Sequence, residues 1–597
     1  MFLDRVARTP DARAWSAFTG GQWRDFTYGD YERSARAFGL GLLAAGLARG
    51  QAVAILGETG PEWAYCDIGA IGAGAVTVGL YPTLAPEGVG SMHYLLDHSE
   101  ARVLCVESSA TLEAKVAPIL SKLPRVERII VWRCDAAARA LDRRVESLDD
   151  TLARGQALQA RQPSVWRDAC LAAQPADVAV LVYTSGTTGQ PKGAMLTHRN
   201  IDAQTSAITA ALGIQQADCG LSFLPMAHVA ERCVAHYSRI RTGLATHYAR
   251  SMATLLEDLS IAQPTIFGSV PRIFEKVYAG LEAEMAMLDP ARRALAEQVL
   301  RAGVAAARAR REGATVDPET QRLAGVFDQQ LGARVRARFG GRCTRLTSGA
   351  APIAVAILEL FDACGMPTYE LYGMTETAGL LTANAPGAVR YGTVGRALPG
   401  VEIRLADDGE ILARGDNVFP GYFKDAAATA ECLVDGWLHT GDIGALDVDG
   451  YLTITDRKKN LLITAGGKNI TPANVEAEVK RDPLISYCHL HADRRPYPTA
   501  LVCLDPARLA AFAAEHSLAG TTGSDLHDDP TVRGRVQQAV DAANARLARY
   551  EQIRRFTILR AELSVDGGEL TPTLKVKRRE VDRKYHDAID AMYRGQE

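Results

Sequence analysis

Short runs rich in valine, isoleucine and leucine alternate with alanine-rich helical segments in the first third of the chain. Four of these runs are predicted strands, at 51–57, 101–107, 128–132 and 178–186. Strands separated by helices usually pair in parallel, with helices covering both faces of the sheet. The alternation therefore predicts an α/β fold built on largely parallel sheets.

Later regions of the chain depart from this pattern. Residues 285–340 are rich in alanine and arginine and predict two or three inserted helices, followed by a strand at 345–352. From residue 401 onward, short alternating segments separated by Gly and Asp turns predict a small β-rich subdomain and then an α+β unit. The charged turn at 455–460 predicts either a domain boundary or an exposed hairpin loop.

The composition excludes several classes of protein. A chain of 597 residues with 47% hydrophobic and 23% charged residues is typical of a multidomain globular protein, and it excludes disordered and fibrous classes. The net charge of −3 argues against a dedicated nucleic-acid binder. The eleven cysteines contain no Cys-x-x-Cys pair, which predicts reduced thiols in a cytoplasmic protein. Neither a signal-peptide core nor a membrane span is predicted, so we expect a soluble protein or one attached to a membrane surface.

The strongest chemical signal is the segment Tyr183-Thr-Ser-Gly-Thr-Thr-Gly-Gln-Pro-Lys-Gly193, which begins inside a predicted strand. Its glycines and hydroxyl side chains can offer backbone N–H groups and hydroxyls to phosphate, and Lys192 adds a point charge. The segment is not a Walker A loop, because Pro191 stands where that loop needs its second glycine. A plain Ser/Gly-rich linker is the alternative interpretation.

This segment resembles the signature phosphate loop of the adenylate-forming superfamily of acyl-CoA synthetases, luciferases and peptide-synthetase adenylation domains. Further elements of that superfamily follow in order. Gly349-Ala-Ala-Pro352 resembles its adenine-binding Gly-Gly-Ala-Pro segment, with Ala350 in place of the second glycine. Tyr372-Gly-Met-Thr-Glu376 resembles its aromatic-Gly-x-Thr-Glu element.

The resemblance implies a large N-terminal domain, made of two α/β subdomains and a β-rich subdomain, and a small mobile α+β C-terminal domain. The implied boundaries are 1–455 for the AMP- and acyl-binding domain, 456–461 for a hinge linker and 462–597 for the mobile domain. Within the linker, the resemblance places the hinge at Lys459.

The resemblance also implies how Mg-ATP is held. Tyr372 would stack on adenine, Thr184 and Glu376 would hold Mg²⁺, and Asp442 and Arg457 would bind the ribose hydroxyls. Contacts with ATP or AMP are implied for Ser185, Gly186, Thr187, Thr188, Gly189, Lys192, Gly349, Ala350, Ala351, Pro352, Tyr372, Gly373, Met374, Thr375, Asp442 and Arg457. Taken singly, the Tyr372–Glu376 and Asp442 segments are also compatible with ordinary turns.

Two C-terminal segments complete the resemblance. Gly466 and Gly467 match the glycine-rich loop that lines the coenzyme A tunnel, although a hairpin turn would have the same composition. Lys575 aligns with the catalytic lysine, which would neutralise the carboxylate and α-phosphate oxygens as they approach. A solvated cationic face is the alternative, and Lys577 is the competing lysine.

Within the superfamily, segments 222–232, 269–278 and 494–497 resemble the long-chain fatty acyl-CoA synthetases. The resemblance places His228 near the acyl carboxylate, although a core histidine fits equally well. The residues at 269–278 predict either a strand end lined by Phe274 and Tyr278 or a helix packed in the core.

The resemblance thus predicts a long-chain fatty acid–CoA ligase that uses ATP, Mg²⁺ and coenzyme A. Residues 460–464 continue without the insertion of acyl-AMP ligases, which favours coenzyme A over a carrier protein as acceptor. Little sequence follows Lys575, so we expect no carrier domain. The alternatives are a ligase for aryl or shorter acids, an acyl-AMP ligase loading a carrier protein, and a non-catalytic acyl- or nucleotide-binding protein.

Charge suggests a further partner. Residues 291–342 contain eleven arginines and five acidic residues. This excess of positive charge predicts either contact with the inner face of an anionic membrane or ordinary arginine-rich surface helices. For the oligomeric state, a homodimer is the hypothesis. Cys488, His489 and His491 are not predicted to bind metal, because a strand directs the cysteine and the histidines to opposite faces.

Overall fold

The computed structural model describes residues 1–184, 190–458, 462–465, 468–518, 525–564, 567–570 and 576–594. Its strands are β1 Arg13–Thr19, β2 Gln22–Thr27, β3 Ala52–Leu56, β4 Val76–Leu80, β5 Ala101–Ser108, β6 Arg128–Arg133, β7 Val145–Ser147, β8 Val178–Thr184, β9 Lys192–Thr197, β10 Cys219–Ser222, β11 Ala245–Tyr248, β12 Ile266–Ser269, β13 Arg345–Gly349, β14 Thr368–Tyr372, β15 Thr382–Ala383, β16 Arg396–Ala397, β17 Val401–Leu405, β18 Glu410–Gly415, β19 Leu433–Val434, β20 Trp437–Leu446, β21 Leu452–Arg457, β22 Leu462–Ile463, β23 Asn469–Ile470, β24 Ile485–His491, β25 Thr499–Leu504 and β26 Arg555–Ile558.

Its helices are α1 Phe2–Arg8, α2 Tyr28–Ala44, α3 Pro61–Gly72, α4 Met92–His98, α5 Ser109–Thr111, α6 Ala136–Leu141, α7 Leu148–Arg161, α8 Val165–Leu171, α9 His198–Ala211, α10 Tyr237–Thr242, α11 Leu255–Ala262, α12 Pro271–Ala286, α13 Pro290–Glu312, α14 Pro318–Phe327, α15 Ala333–Arg338, α16 Val355–Ala363, α17 Ala426–Cys432, α18 Pro472–Val479, α19 Pro506–Glu515, α20 Pro530–Asn544, α21 Arg578–Lys584 and α22 His586–Ala591. Shorter helical turns lie at Leu112–Val116, Ala117–Lys122, Ala230–His236, Asp328–Gly332, Thr375–Thr377 and Asp525–Asp528.

The first sheet has seven strands in the order β7-β6-β5-β3-β4-β8-β9. Neighbouring strands from β7 to β8 pair in parallel, and β9 returns antiparallel to β8. All five side chains of β3 are buried, as expected for a parallel strand that is covered on both faces. The four strands predicted in this region are therefore confirmed.

The second sheet has nine strands in the order β16-β15-β14-β13-β12-β10-β11-β1-β2. Its central strands are parallel, so β10, β12, β13 and β14 all end at one edge. Ligands of open parallel sheets bind at this carboxyl edge. The segments that contain His228, Ala350 and Glu376 all begin there, which makes this edge the part of the fold that positions the candidate site.

The predicted helical insertion is confirmed and consists of α13, α14 and α15. Nine of the eleven arginines at 291–342 form ion pairs, including Arg308 with Glu359 and Arg311 with Asp362. These pairs neutralise much of the positive charge that the sequence places in this segment.

Residues 269–278 form the end of β12 and the start of helix α12, which decides between the two interpretations of this segment. Only its first residue lies in β12, and α12 begins at Pro271. Phe274, Val277 and Leu281 of this helix are buried in the same hydrophobic core. Proline is favoured in the first turn of a helix, so the core-helix interpretation is correct and the strand-end interpretation is wrong.

The later part of the chain is β-rich, as predicted. Strands β17, β18, β20 and β19 form a sheet in that order, and β21 pairs with β20. A second small sheet has the order β24-β25-β26, with β24 antiparallel and β26 parallel to β25. Helices α18 and α20 pack on it around Val475, Val536 and Val540.

The chain divides into two compact units. The first comprises Met1–Arg404, Leu412–His439 and Leu446–Thr453, and the second comprises Leu405–Ile411, Thr440–Ala445 and Ile454–Glu597. The predicted hinge at Lys459 lies outside the described residues and stays a prediction. Across the described ranges, none of the helices has the length and apolar character needed to cross a bilayer.

Candidate active site

The two ends of the phosphate loop are held firmly by the first unit. Thr184 ends β8 and pairs with Lys192, which begins β9. Before the loop, the Tyr183 hydroxyl lies 2.8 Å from Nδ1 of His98. After it, Tyr94 donates to the Pro191 carbonyl at 3.1 Å. These contacts fix the positions from which the loop leaves and rejoins the sheet.

The middle of the loop, which contains the predicted phosphate ligands Ser185, Gly186, Thr187, Thr188 and Gly189, lies outside the described residues. The same holds for the predicted hinge Lys459, for Gly466 and Gly467 of the coenzyme A tunnel, and for the catalytic Lys575. Their roles stay predictions.

Glu376 and Lys192 are connected through Tyr422, a residue that the sequence reasoning missed. The Tyr422 hydroxyl donates to Oε1 of the buried Glu376 at 2.6 Å. The Lys192 ammonium lies 5.2 Å from the centre of the Tyr422 ring, within cation–π range. Burial and then the nearby Glu376 charge raise the pKa of Tyr422, so its hydroxyl is a permanent donor at neutral pH.

Backbone contacts explain why this tyrosine faces Glu376. Tyr422 forms a bridge with Ala194 of β9, and the amide of Phe423 donates to the Gly193 carbonyl at 2.7 Å. The Phe419 amide donates to the Glu376 carbonyl at 2.8 Å. The segment around Tyr422 thus lies between the two sheets and joins the end of the phosphate loop to Glu376.

The predicted adenine segment leaves the sheet beside the Tyr372 element. Gly349, the last residue of β13, is directly opposite Leu371 of β14. Ala350, Ala351 and Pro352 are exposed, and Ala350 has a φ of 70°. This left-handed conformation favours glycine, so the alanine at this position carries backbone strain.

The Tyr372–Glu376 element is a tight turn that requires its glycine. A Cβ atom on Gly373 would lie 2.1 Å from the Gly379 carbonyl oxygen. The Met374 amide donates to the Thr377 hydroxyl at 3.2 Å, which begins the helical turn containing Thr375 and Glu376. Tyr372 is buried at the end of β14.

His228 lies in the loop between β10 and the helical turn Ala230–His236, at the same sheet edge. Its Nδ1 accepts a hydrogen bond from the Ala230 amide at 3.1 Å. Because Nδ1 accepts this hydrogen bond, Nδ1 carries no hydrogen. In a neutral imidazole the ring hydrogen is then on Nε2. The side chain is half-buried, so the local geometry is compatible with a carboxylate-binding donor.

The second unit brings together the two predicted ribose ligands. Arg457 Nε lies 3.0 Å from Oδ1 of the buried Asp442. Glu410, which sequence reasoning also missed, accepts from the Gly441 amide at 2.9 Å and from the Lys458 ammonium at 3.0 Å. A buried glutamate therefore ties the turn before Asp442 to the residue that precedes the predicted hinge.

The chain on either side of the predicted catalytic lysine is anchored within the second unit. Leu570 and Val576 form a bridge, and the Lys577 amide donates to the Glu569 carbonyl at 2.8 Å. Farther on, Asp582 accepts from both His489 and His491, at 2.9 and 3.1 Å. The two histidines share one face of β24, and both contact the same Asp582 carboxylate.

Comparison with known proteins identifies the family. Residues 2–423 match the AMP-binding enzyme family, and residues 459–597 match the AMP-binding enzyme C-terminal domain. The chain belongs to the AMP-binding enzyme family. It is 36% identical, over 99% of its length and 96% of the relative, to the long-chain-fatty-acid–CoA ligase FadD15 of Mycobacterium bovis.

The chain is also 32% identical to the long-chain-fatty-acid–CoA ligase ACSBG2 of Xenopus laevis, over 99% of this chain and 83% of the relative. Among solved structures, the adenylation domain of a carboxylate reductase from Mycobacterium chelonae superposes with a TM-score of 0.77 at 24% identity, covering 100% of this chain and 90% of that one. The predicted fold class is confirmed.

Glu370, two residues before Tyr372, is a buried carboxyl whose pKa is raised by burial from 4.5 to about 7. Because the folded state favours the protonated form, stability falls as pH rises from 4.5 to about 7. We expect Glu370→Gln to raise the free energy of unfolding at pH 8 by about 1 to 3 kcal/mol, with no gain at pH 4. Denaturant titrations at the two pH values test this.

The control for this experiment is Glu113→Gln, at an exposed glutamate. It should show the same change in stability at both pH values. A gain from Glu370→Gln of equal size at pH 4 and pH 8 would contradict the assignment of a proton-linked cost to this carboxyl.

Proposed function

We propose that this AMP-binding enzyme is a long-chain fatty acid–CoA ligase. The full-length similarity to FadD15, at 36% identity over 99% of the chain, carries the proposal. The arrangement of Lys192, Tyr422 and Glu376 around the ends of the phosphate loop supports a nucleotide-dependent reaction. In the first half-reaction, the fatty carboxylate attacks the α-phosphorus of ATP, giving acyl-AMP and pyrophosphate. In the second, the thiol of coenzyme A displaces AMP and forms the thioester.

The proposed roles follow the chemistry of each side chain. Lys192 would hold phosphate oxygens as a point charge, and Tyr372 with the segment 349–352 would hold adenine. Asp442 and Arg457 would bind the ribose hydroxyls. Lys575 would neutralise the oxygens that approach each other during adenylation, and binding energy that orients the reactants would supply much of the rate enhancement.

The donor chemistry fits Mg²⁺. This ion is usually held by one or two carboxylates together with substrate phosphates and water. Glu376 offers a buried carboxylate, and Thr184 offers a hydroxyl at the start of the phosphate loop. When bound, Mg²⁺ would neutralise charge on the phosphates, while Tyr422 orients the Glu376 carboxylate through its hydrogen bond.

The function is tested by measuring AMP and acyl-CoA formation with saturated acids from acetate to about twenty carbons, and with benzoate. We expect a thioester maximum at twelve carbons or longer. A maximum with benzoate or a short acid would support a related acid–CoA ligase, and acyl-AMP without thioester would indicate a carrier-protein acceptor. No turnover with any acid would overturn the proposal in favour of a binding protein.

We also propose that the arginine-rich insertion contacts an anionic membrane. Met287, 88% exposed, lies in the turn between α12 and α13, and Leu295, 55% exposed, lies in the first turns of α13, which also contain Arg292 and Arg293. Such a surface combines apolar side chains with cations, as peripheral membrane contacts do. The ion pairs of this region reduce its net charge, so the apolar residues should contribute most of the binding.

Flotation with phosphatidylglycerol vesicles at low salt tests this contact. We expect the wild type to float with the vesicles and the double variant Met287→Glu, Leu295→Glu to lose most of this binding. Val448→Glu, at another exposed apolar position, is the control and should bind like the wild type. Absence of wild-type flotation would remove the proposal.

A further inference from the structure

The loop that contains His228 is held by the first sheet, although it follows a strand of the second. Thr59, in the turn between β3 and α3, donates from its hydroxyl to the Leu224 carbonyl at 2.6 Å. The same hydroxyl accepts from the Met226 amide at 3.0 Å. One side chain therefore fixes two backbone groups of the loop, four and two residues before His228.

A second contact lies directly before His228. Gly79 of β4 approaches Ala227 so closely that a Cβ atom on the glycine would lie 2.6 Å from the Ala227 Cα. Ala227 and Met226 are both buried. The loop thus packs on the carboxyl end of β4 with no space for a side chain between them.

A third contact lies directly after His228. The Arg232 amide donates to the His228 carbonyl at 3.0 Å. The Arg232 side chain enters the core beneath the loop, where it pairs with Asp67 of α3 and stacks on Trp63 with 4.9 Å between the guanidinium carbon and the ring centre. Arg232 and Asp67 are both fully buried.

These contacts leave the His228 loop little freedom relative to the first sheet. The ring itself is oriented by the Ala230 amide, which donates a hydrogen bond to its Nδ1. If the loop shifted, the ring would move with it, because the amide that orients it belongs to the same segment. Displacement of a binding group by about 1 Å is enough to weaken a polar contact strongly.

We propose that Thr59 is a positioning residue for His228 and thereby sets the affinity for the carboxylate of the acid substrate. The inference rests on the proposed function and on the role predicted from the sequence for His228, as a residue near the acyl carboxylate. Thr59 acts through the backbone of residues 224–226 and touches neither reactant. Its loss should therefore weaken binding of the acid and spare the nucleotide.

The test is Thr59→Val, which keeps the shape of the side chain and removes both hydrogen bonds. We expect the KM for a long-chain fatty acid in pyrophosphate release to rise about five- to tenfold, with the KM for ATP unchanged within about twofold. A purely structural role would lower the active fraction of enzyme and leave both KM values unchanged. Thr59→Ser keeps the hydroxyl and should restore the wild-type KM.

Gly79→Ala provides a second variant at an independent contact. Its methyl group should displace Ala227 and raise the same KM, with no effect on the KM for ATP. Thermal unfolding of each variant shows that the compared proteins are folded at the assay temperature.

His228→Ala separates failure of this inference from failure of the proposed function. If His228→Ala raises the KM for the acid and Thr59→Val does not, the positioning role is overturned and the function stands. If His228→Ala has no effect on that KM, the inference falls with the role of His228. Wild-type enzyme that activates no fatty acid would overturn the proposed function itself.

Discussion

Replacing Lys575 by alanine should slow acyl-adenylate formation by about 10² or more, because the transition state loses a charge partner for the approaching oxygens. Thioester formation from supplied acyl-AMP and coenzyme A should keep nearly its wild-type rate. The two half-reactions can be followed separately, by pyrophosphate release and by acyl-CoA formation from synthetic acyl-AMP.

Lys577→Ala is the matched control, since Lys577 is exposed and lies two positions after Lys575 in the sequence. It should retain both half-reactions. Equal loss of both in Lys575→Ala would contradict a hinge at Lys459 that separates the two steps. A larger loss of adenylation in Lys577→Ala would assign the catalytic role to that lysine.

Arg232→Ala should lower the free energy of unfolding of the first unit by about 3 to 5 kcal/mol, because it leaves the Asp67 carboxylate buried without its partner. The Tyr237 hydroxyl, which donates to Asp67 at 2.6 Å, cannot replace a full positive charge. Trp63 stacks on Arg232, so tryptophan fluorescence during denaturant titration reports on this cluster.

Two control variants test whether the lower free energy of unfolding in Arg232→Ala comes from an unpaired buried charge. Arg322→Ala removes an exposed pair with Glu319 and should cost less than about 1 kcal/mol. Replacing both partners, as Arg232→Met with Asp67→Leu, should restore most of the stability, because no unpaired charge stays buried. A loss in Arg232→Ala no greater than that in Arg322→Ala would show that the buried pair contributes little.

The strands, the helical insertion and the order of the chemical segments were predictable from the sequence. Each depends on a local pattern: buried β-branched runs for β3 and β5, low β-branched content for α13, and fixed spacing for the phosphate loop. Helix α12 was also predictable from the sequence, because Pro271 at its start and the spacing of Phe274, Val277 and Leu281 are typical of a core helix.

The contacts that organise the candidate site were not predictable in the same way. Tyr422 meets Glu376 across 46 positions of sequence, and Thr59 meets Leu224 across 165. Nothing in the residues near Thr59 or Tyr422 indicates a partner at that distance, because the partner depends on how the two sheets pack. The aromatic-rich turn at 417–423 was the one local signal for Tyr422, and it did not identify Glu376.

The common edge of β10, β12, β13 and β14 has a consequence for how new acid specificities arise in this architecture. Each strand contributes its own loop, and the register between strands is fixed by backbone hydrogen bonds deeper in the sheet. Substitutions in the loops after β10 and β12 can therefore accumulate without disturbing the loops after β13 and β14. Under the proposed function, different loops of this edge would bind the acid and the nucleotide. Directed evolution of substrate range should therefore begin with the half-buried side chains of residues 223–225 and leave Ala227 and His228 unchanged.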